Sequence, residues 1–175
     1  MPPEAVSVPD VAPVEAQNDI KPAKMNMPVK LGELIVGKND CVSKMLALLY
    51  GRESMNRLEA VRRANPQIKD LNSLRMGEII SVPARMSKDN PLPAGKYWLQ
   101  IASPASLQEA YKFMTENNQL PSLFLHTYWN KSEGTVYSVL LKEGFNSESA
   151  ANAFIKTLPP AVAFKAKVIS GWPDG

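Results

Sequence analysis

The sequence predicts an α+β protein made of two small units. The first has the order β-α-α-β and the second β-α-β-β-α-β, and both follow a proline-rich N-terminal segment. Three observations carry this reading. The stretch Tyr97-Trp98-Leu99-Gln100-Ile101-Ala102-Ser103 alternates with the period of two that a half-buried strand requires. Apolar residues at helical spacing recur between strand-like runs on both sides of it. Residues 84–95 mix charges with Pro91, Pro93 and Gly95 and read as a short linker, 85–95, between the two patterns. The alternation at 97–103 turns Tyr97, Leu99 and Ile101 towards helices and sends Trp98 and Gln100 to the opposite face, a pairing suited to recognition.

Taken in order, residues 1–30 hold six of the 15 prolines and no hydrophobic periodicity. Extended, weakly structured backbone follows, expected to act as a disordered tether; polyproline II at about 3.1 Å per residue would reach several tens of Å. Leu34-Ile35-Val36 reads as a short strand, and Gly37-Lys38-Asn39-Asp40 as a turn. A helix runs from Val42 to Tyr50 with Val42, Met45, Leu46 and Leu49 inward, Asp40 or Cys41 at its N-cap and Gly51 as its stop. Ser54 caps a second helix, Met55 to Ala64, with Leu58 and Val61 inward, ended by Asn65-Pro66. Glu78 to Val82 is a strand closed by Pro83.

The second unit begins with the strand at Tyr97. Ser106 and Glu109 form a capping-box pair at the start of a helix reaching Asn117, with Ala110, Phe113 and Met114 buried. Ser122 to Trp129 is a strand, Asn130 to Gly134 a hairpin turn and Thr135 to Leu141 the next strand. Asn146 or Ser147 caps a helix to Leu158 with Ala150, Ala151, Phe154 and Ile155 inward. Pro159-Pro160 stops it, Ala163 to Ser170 supplies the last strand, and residues 171–175 are a tail whose Trp172 covers a sheet edge.

Composition excludes several classes. A net charge of +3 in 175 residues offers no concentrated basic patch for nucleic acid. The single cysteine, Cys41, precludes an internal disulfide or a cysteine zinc cluster. No apolar run approaches the roughly 20 residues of a membrane span. The first residues, Met1-Pro2-Pro3-Glu4, have no signal-peptide pattern, so an export signal or membrane anchor is expected outside this chain. There is no phosphate-binding glycine loop, Gly-x-Ser-x-Gly elbow or His-Glu-x-x-His. Cys41 and His126, the only histidine, fall in different units, and no carboxylate pair has the facing spacing of a glycosidase. His126 is therefore expected at a non-catalytic surface position. No enzyme activity, cofactor or metal is expected.

The first unit resembles a LysM domain over residues 31–84. The residues that carry the likeness are Asn39-Asp40, Tyr50-Gly51, Asn65-Pro66-Gln67-Ile68, Leu74 and Gly77-Glu78-Ile79-Ile80-Ser81-Val82-Pro83. Two departures stand out: Asn39 occupies a customary Gly and Cys41 a customary Thr or Ser. Asn tolerates left-handed backbone, so the turn is retained. The resemblance implies binding of N-acetylglucosamine-containing glycan by a groove between two loops, with site residues Asn39, Asp40, Cys41, Asn65, Pro66, Gln67 and Ile68. Read as residues alone, Asp40, Asn65 and Pro66 serve equally as caps and turn formers.

The second unit resembles a SPOR domain over residues 96–170. The likeness rests on the Tyr97–Ser103 strand, Ser106-Leu107-Gln108-Glu109-Ala110, Tyr137-Ser138-Val139, Gly144-Phe145-Asn146-Ser147-Glu148-Ser149-Ala150 and Thr157-Leu158-Pro159. It implies a ferredoxin-like or RNP-like sheet whose exposed face binds peptidoglycan, particularly strands stripped of stem peptides. Carried over, Gln100 and Ser103 occupy first-strand contact positions, Trp98 would stack on a sugar ring, and His126 and Tyr128 join the same face. Trp98 alternatively lies under the linker or the first unit. The family's third-strand aromatic is replaced by Val136. Together the two resemblances imply a non-catalytic peptidoglycan-binding protein of the bacterial envelope or periplasm, with glycan strands as partner and no nucleic acid. A second reading is an assembly module docking a protein partner in an envelope or secretion complex.

Overall fold

The computed structural model describes residues 26–50, 55–86 and 92–170. Of the tether expected over residues 1–30, residues 1–25 lie outside the described residues, as do the Gly51 stop, the Ser54 cap, residues 87–91 of the linker and the 171–175 tail. The first unit runs β1 (Lys30–Ile35), α1 (Val42–Tyr50), α2 (Met55–Ala64) and β2 (Ile79–Pro83). The second continues with β3 (Trp98–Ala102), α3 (Leu107–Glu116), β4 (Leu123–Asn130), β5 (Gly134–Leu141), α4 (Glu148–Ile155), α5 (Pro160–Ala163) and β6 (Lys167–Ile169).

Strand β1 pairs antiparallel with β2, and the second unit forms a four-stranded sheet of order β4-β5-β3-β6. That order matches the expected β-α-β-β-α-β connectivity. Leu99 and Ile101 of β3 are buried against Ala151 and Leu158 from α4 and the segment after it, as the alternation requires. The caps are also where the side chains place them. Ser106 Oγ accepts from Glu109 N at 3.1 Å and Ser147 Oγ from Ala150 N at 3.1 Å, satisfying amide donors that a helix start otherwise leaves unpaired.

Several elements differ from expectation for local reasons. Strand β1 begins at Lys30 and not Leu34, because a bulge between Lys30 and Gly32 breaks the alternation that a sequence pattern needs. Asp40 does not cap α1; its Oδ2 turns back to accept from Gly37 N at 2.9 Å. Asn39 sits at φ 65, the left-handed turn that Asn tolerates. In α4, Ala151 is buried while Ala150 is exposed. Helix α4 ends ahead of Pro159-Pro160 as expected, but Pro160 then opens a further short helix, α5, where its missing N–H is no loss. The last strand is consequently short, Lys167–Ile169.

The two units share one hydrophobic cluster. Leu34, Val42, Met45 and Val82 of the first unit pack in it with Leu107, Tyr111 and Met114 of α3 and Leu125 of β4. Polar contacts cross the same seam. Gln108 Oε1 accepts from Ile35 N at 2.9 Å, Tyr111 Oη donates to Asp40 Oδ1 at 2.8 Å, and Tyr137 Oη donates to Leu31 O. Beyond β2 the chain pairs with β4, where Trp129 N donates to Arg85 O at 2.6 Å. Burial and the neighbouring Asp40 carboxylate hold the Tyr111 hydroxyl well above its usual pKa.

Candidate functional site

The sheet face turned away from α3 and α4 collects Trp98 and Gln100 from β3, Val136, Ser138 and Leu140 from β5, Phe124, His126 and Tyr128 from β4, and Lys167 and Ile169 from β6. The pairings that fix this are Gln100 with Leu140 and Lys167, His126 with Ser138 and Tyr128 with Val136. The expected register therefore holds: Trp98, Gln100, His126 and Tyr128 share one face.

That face is not uniformly open. Trp98 is 7% exposed, stacks edge-on to Phe124 with centroids 6.0 Å apart, and lies so near Gly144 that a Cβ there would sit 3.3 Å from its ring. His126 is 2% exposed and Tyr128 is fully buried, their rings edge-on at 5.3 Å. The open positions expected for His126 and Tyr128 are thus corrected to buried ones, and of its two expected placements Trp98 takes the buried one. Alternation reports which face a side chain takes, while burial depends on what the rest of the chain brings to that face. Burial, then the guanidinium charges of Arg85 and Arg57, push the His126 pKa down to about 3, so the imidazole is neutral at physiological pH.

The face opens at the end of β3. A groove of about 300 Å³ is walled by Gln100, Ser103, Glu133, Thr135, Val136 and Lys167, among others. Gln100 is held from below: its amide N–H donates to Ser138 Oγ at 2.5 Å, while its Oε1 has no hydrogen-bond partner among the described residues. Ser103 and Lys167 are exposed, and Val136 is half-buried. On the turn between β4 and β5, Glu133 accepts from Asn130 Nδ2 at 3.1 Å. Of the five residues expected on this face, the groove brings together Gln100 and Ser103. Lys167, Thr135 and Glu133 are the wall residues that sequence reasoning missed. Lys167 lies within the strand expected over 163–170, but the register that sets it across from Gln100 is not fixed by the strand's own sequence.

In the first unit the loops carrying Asn39–Cys41 and Asn65–Ile68 are differently engaged. Asn65 is fully buried and pins α2 to β2: Nδ2 donates to Val61 O and Ser81 O at 2.7 and 2.8 Å, and Oδ1 accepts from Ser81 N at 2.7 Å. Both Asp40 oxygens are occupied, by Gly37 N and Tyr111 Oη. Pro66, Gln67 and Asn39 are exposed, and Cys41 and Ile68 half-buried. A larger cavity of about 450 Å³ lies outside both loops in the main, between Leu58 and Arg62 of α2 and Lys69 to Asn72. Among the described residues no group of three His, Cys, Asp or Glu could hold a metal ion, and no helix is long and apolar enough to cross a membrane.

The second unit is thus a four-stranded antiparallel sheet with helices on one face and a polar groove on the other. Residues 93–170 match the family model of the SPOR domain, and a SPOR domain occupies that stretch. No LysM domain is detected in the chain. Comparison with curated proteins gave no match, and neither did comparison with solved structures. SPOR domains bind peptidoglycan and are non-catalytic, which supports a peptidoglycan-binding role in the cell envelope.

Proposed function

We propose that this protein is a non-catalytic binder of peptidoglycan glycan strands in the bacterial envelope, and that the groove at Gln100 and Ser103 makes the contact. The observation that carries the reading is the opening of the SPOR sheet face at this one end. A buried amide with an unpaired oxygen and an exposed hydroxyl there meet the half-buried apolar Val136. Sugar hydroxyls and acetamides need such donors and acceptors, and the acetamide methyl needs an apolar wall. Trp98, His126 and Tyr128 would then support Gln100 and Ser138 from the side and not touch sugar.

The β-α-α-β order of residues 31–84 keeps the LysM-like reading of the first unit as a proposal. Because Asn65 and Asp40 are committed to internal bonds, any glycan contact there would fall to Asn39, Cys41, Pro66, Gln67 and Ile68. The segment before β1 would tether the protein to an anchor, and the periplasm would be its compartment. A second reading, an assembly module for an envelope or secretion complex, draws on the exposed cross-strand pair Ile35 and Ile79 with Met76 nearby.

Co-sedimentation with purified sacculi, untreated and amidase-stripped, separates the readings. Pelleting on stripped sacculi that Gln100→Ala abolishes is the expected result. Binding lost with Gln67→Ala alone would move the contact to the first unit. No pelleting from either preparation would discard the glycan reading in favour of a protein partner.

A further inference from the structure

Helix α5 turns a small apolar face to solvent. Val162, Ala163 and Ala166 pack into the cluster of Leu99, Ile101, Ala151 and Leu158, on the helix side of the sheet. Pro160 and Phe164, and likewise Ala161 and Lys165, stand four residues apart and so share the opposite face of the helix. All four are exposed. Phe164 is 90% exposed, whereas every other aromatic side chain described is buried or half-buried. The backbone under it is fixed: Phe164 N donates to Pro160 O at 3.1 Å and Lys165 N to Val162 O at 3.0 Å.

The chain on either side of this ring carries one sign of charge. From Ser149 to Pro173 the sequence has three lysines, Lys156, Lys165 and Lys167, and no acid. Lys167 belongs to the groove on the other side of the sheet. Lys156, at the C-cap of α4, and Lys165 are exposed, and neither makes an ion pair among the described residues. The nearest acid before them in sequence, Glu148, sits at the far end of α4, about 12 Å from Lys156 along the helix axis. A ring presented to solvent between unpaired ammonium groups suits the boundary of an anionic bilayer. There the ring enters the acyl edge while the ammonium groups stay among the phosphates.

We propose that the exposed face of α5, with Phe164 as its apolar anchor and Lys156 and Lys165 as its charges, is a peripheral contact for an anionic lipid bilayer. The contact does not rest on the glycan reading. Because α5 and the groove lie on opposite sides of the sheet, a bilayer at Phe164 leaves the groove open. Burying the ring is worth about tenfold or more in partition, and each lysine about fivefold at an anionic surface. That makes the contact reversible and weaker than a single acyl chain.

The test is co-sedimentation of the whole chain with vesicles at millimolar lipid, either phosphatidylcholine alone or phosphatidylcholine mixed with phosphatidylglycerol. The wild-type protein should bind the anionic vesicles about tenfold or more tightly than the neutral ones, a margin that added salt narrows. Phe164→Ser should weaken that binding by about tenfold or more, and Lys156→Gln combined with Lys165→Gln should reduce it to the level of neutral vesicles. Phe164→Trp should keep the binding, with its added emission shifting to the blue on contact with lipid. None of these surface changes should move the urea midpoint. The proposal is overturned if the wild-type protein does not pellet with anionic vesicles or pellets equally with both kinds. Unchanged binding in Phe164→Ser also overturns it, leaving only diffuse charge attraction, and an acidic protein would then be the partner to seek for this face. Sacculus pelleting, read in parallel, decides the glycan reading separately and should be the same in Phe164→Ser as in the wild-type protein.

Discussion

Asn65 shows how a residue expected to meet ligand can be fully used by the fold. Its amide satisfies the carbonyls of Val61 and Ser81 and the amide of Ser81, all at a buried position. Asn65→Ala should therefore cost about 2–4 kcal/mol in a urea titration, because it strands buried backbone groups. Gln67→Ala, at an exposed neighbour, should stay within about 0.5 kcal/mol. His126 gives a prediction in pH. Its folded pKa of about 3 lies below the ordinary 6.5, so between those values the unfolded chain binds a proton that the folded chain refuses. Stability is then complete above pH 6.5 and falls as the pH drops, with a limiting slope of about 1.4 kcal/mol per pH unit. Between about pH 6.5 and 5 carboxylates contribute little, so the urea midpoint of the wild-type protein should fall there while His126→Gln stays nearly level. A level midpoint in the wild-type protein would mean that the imidazole is solvated.

Helix α3 is the element on which both units meet, and its cap and its packing against β1 can be probed separately. Its N-terminus is closed by Ser106, and Ser106→Ala should cost about 1 kcal/mol. The strand against it passes so close at Gly32 that a Cβ would lie 2.9 Å from Leu107 Cβ. Gly32→Ala should accordingly destabilise the protein by about 1–3 kcal/mol through overpacking, measured by the same titration. A neutral effect would mean that β1 slides freely over α3. The cap was legible in the sequence because it is local: a serine, then a glutamate three residues on, ahead of an apolar stripe. So was the facing of β3, since period two decides it. The seam was not legible. Nothing in Leu31 to Leu34 says that its partner is Leu107, about seventy positions away, and the proline-rich, charged stretch after β2 reads as a spacer. The candidate groove was half legible for the same reason. Gln100 and Ser103 follow from one strand, whereas Lys167 needs the pairing of β3 with β6, and the burial of Trp98, His126 and Tyr128 needs the whole chain.

At the scale of the molecule, the shared cluster implies that the two units unfold together. If they were modules on a linker, each weak site would gain from the effective concentration that the linker sets. A common core removes that freedom and fixes the first unit relative to the groove. The distribution of tryptophan makes this measurable. All three tryptophans, Trp98, Trp129 and Trp172, lie after residue 95, so intrinsic fluorescence reports on the second unit and the tail alone. Leu34 lies in the first unit and is 1% exposed in the common cluster. Leu34→Ala should lower stability by about 2–4 kcal/mol, and in a coupled protein that loss moves the fluorescence midpoint although no tryptophan is near the substitution in sequence. Far-UV circular dichroism, which counts helices of both units, should give the same midpoint. Independent units would behave otherwise: the fluorescence transition would stay where it is in the wild-type protein, and circular dichroism would split into two steps, the earlier one belonging to residues 31–84. The same pair of curves bears on binding, because in the coupled case a ligand held only at Gln100 and Ser103 must raise the melting point of the first unit as well.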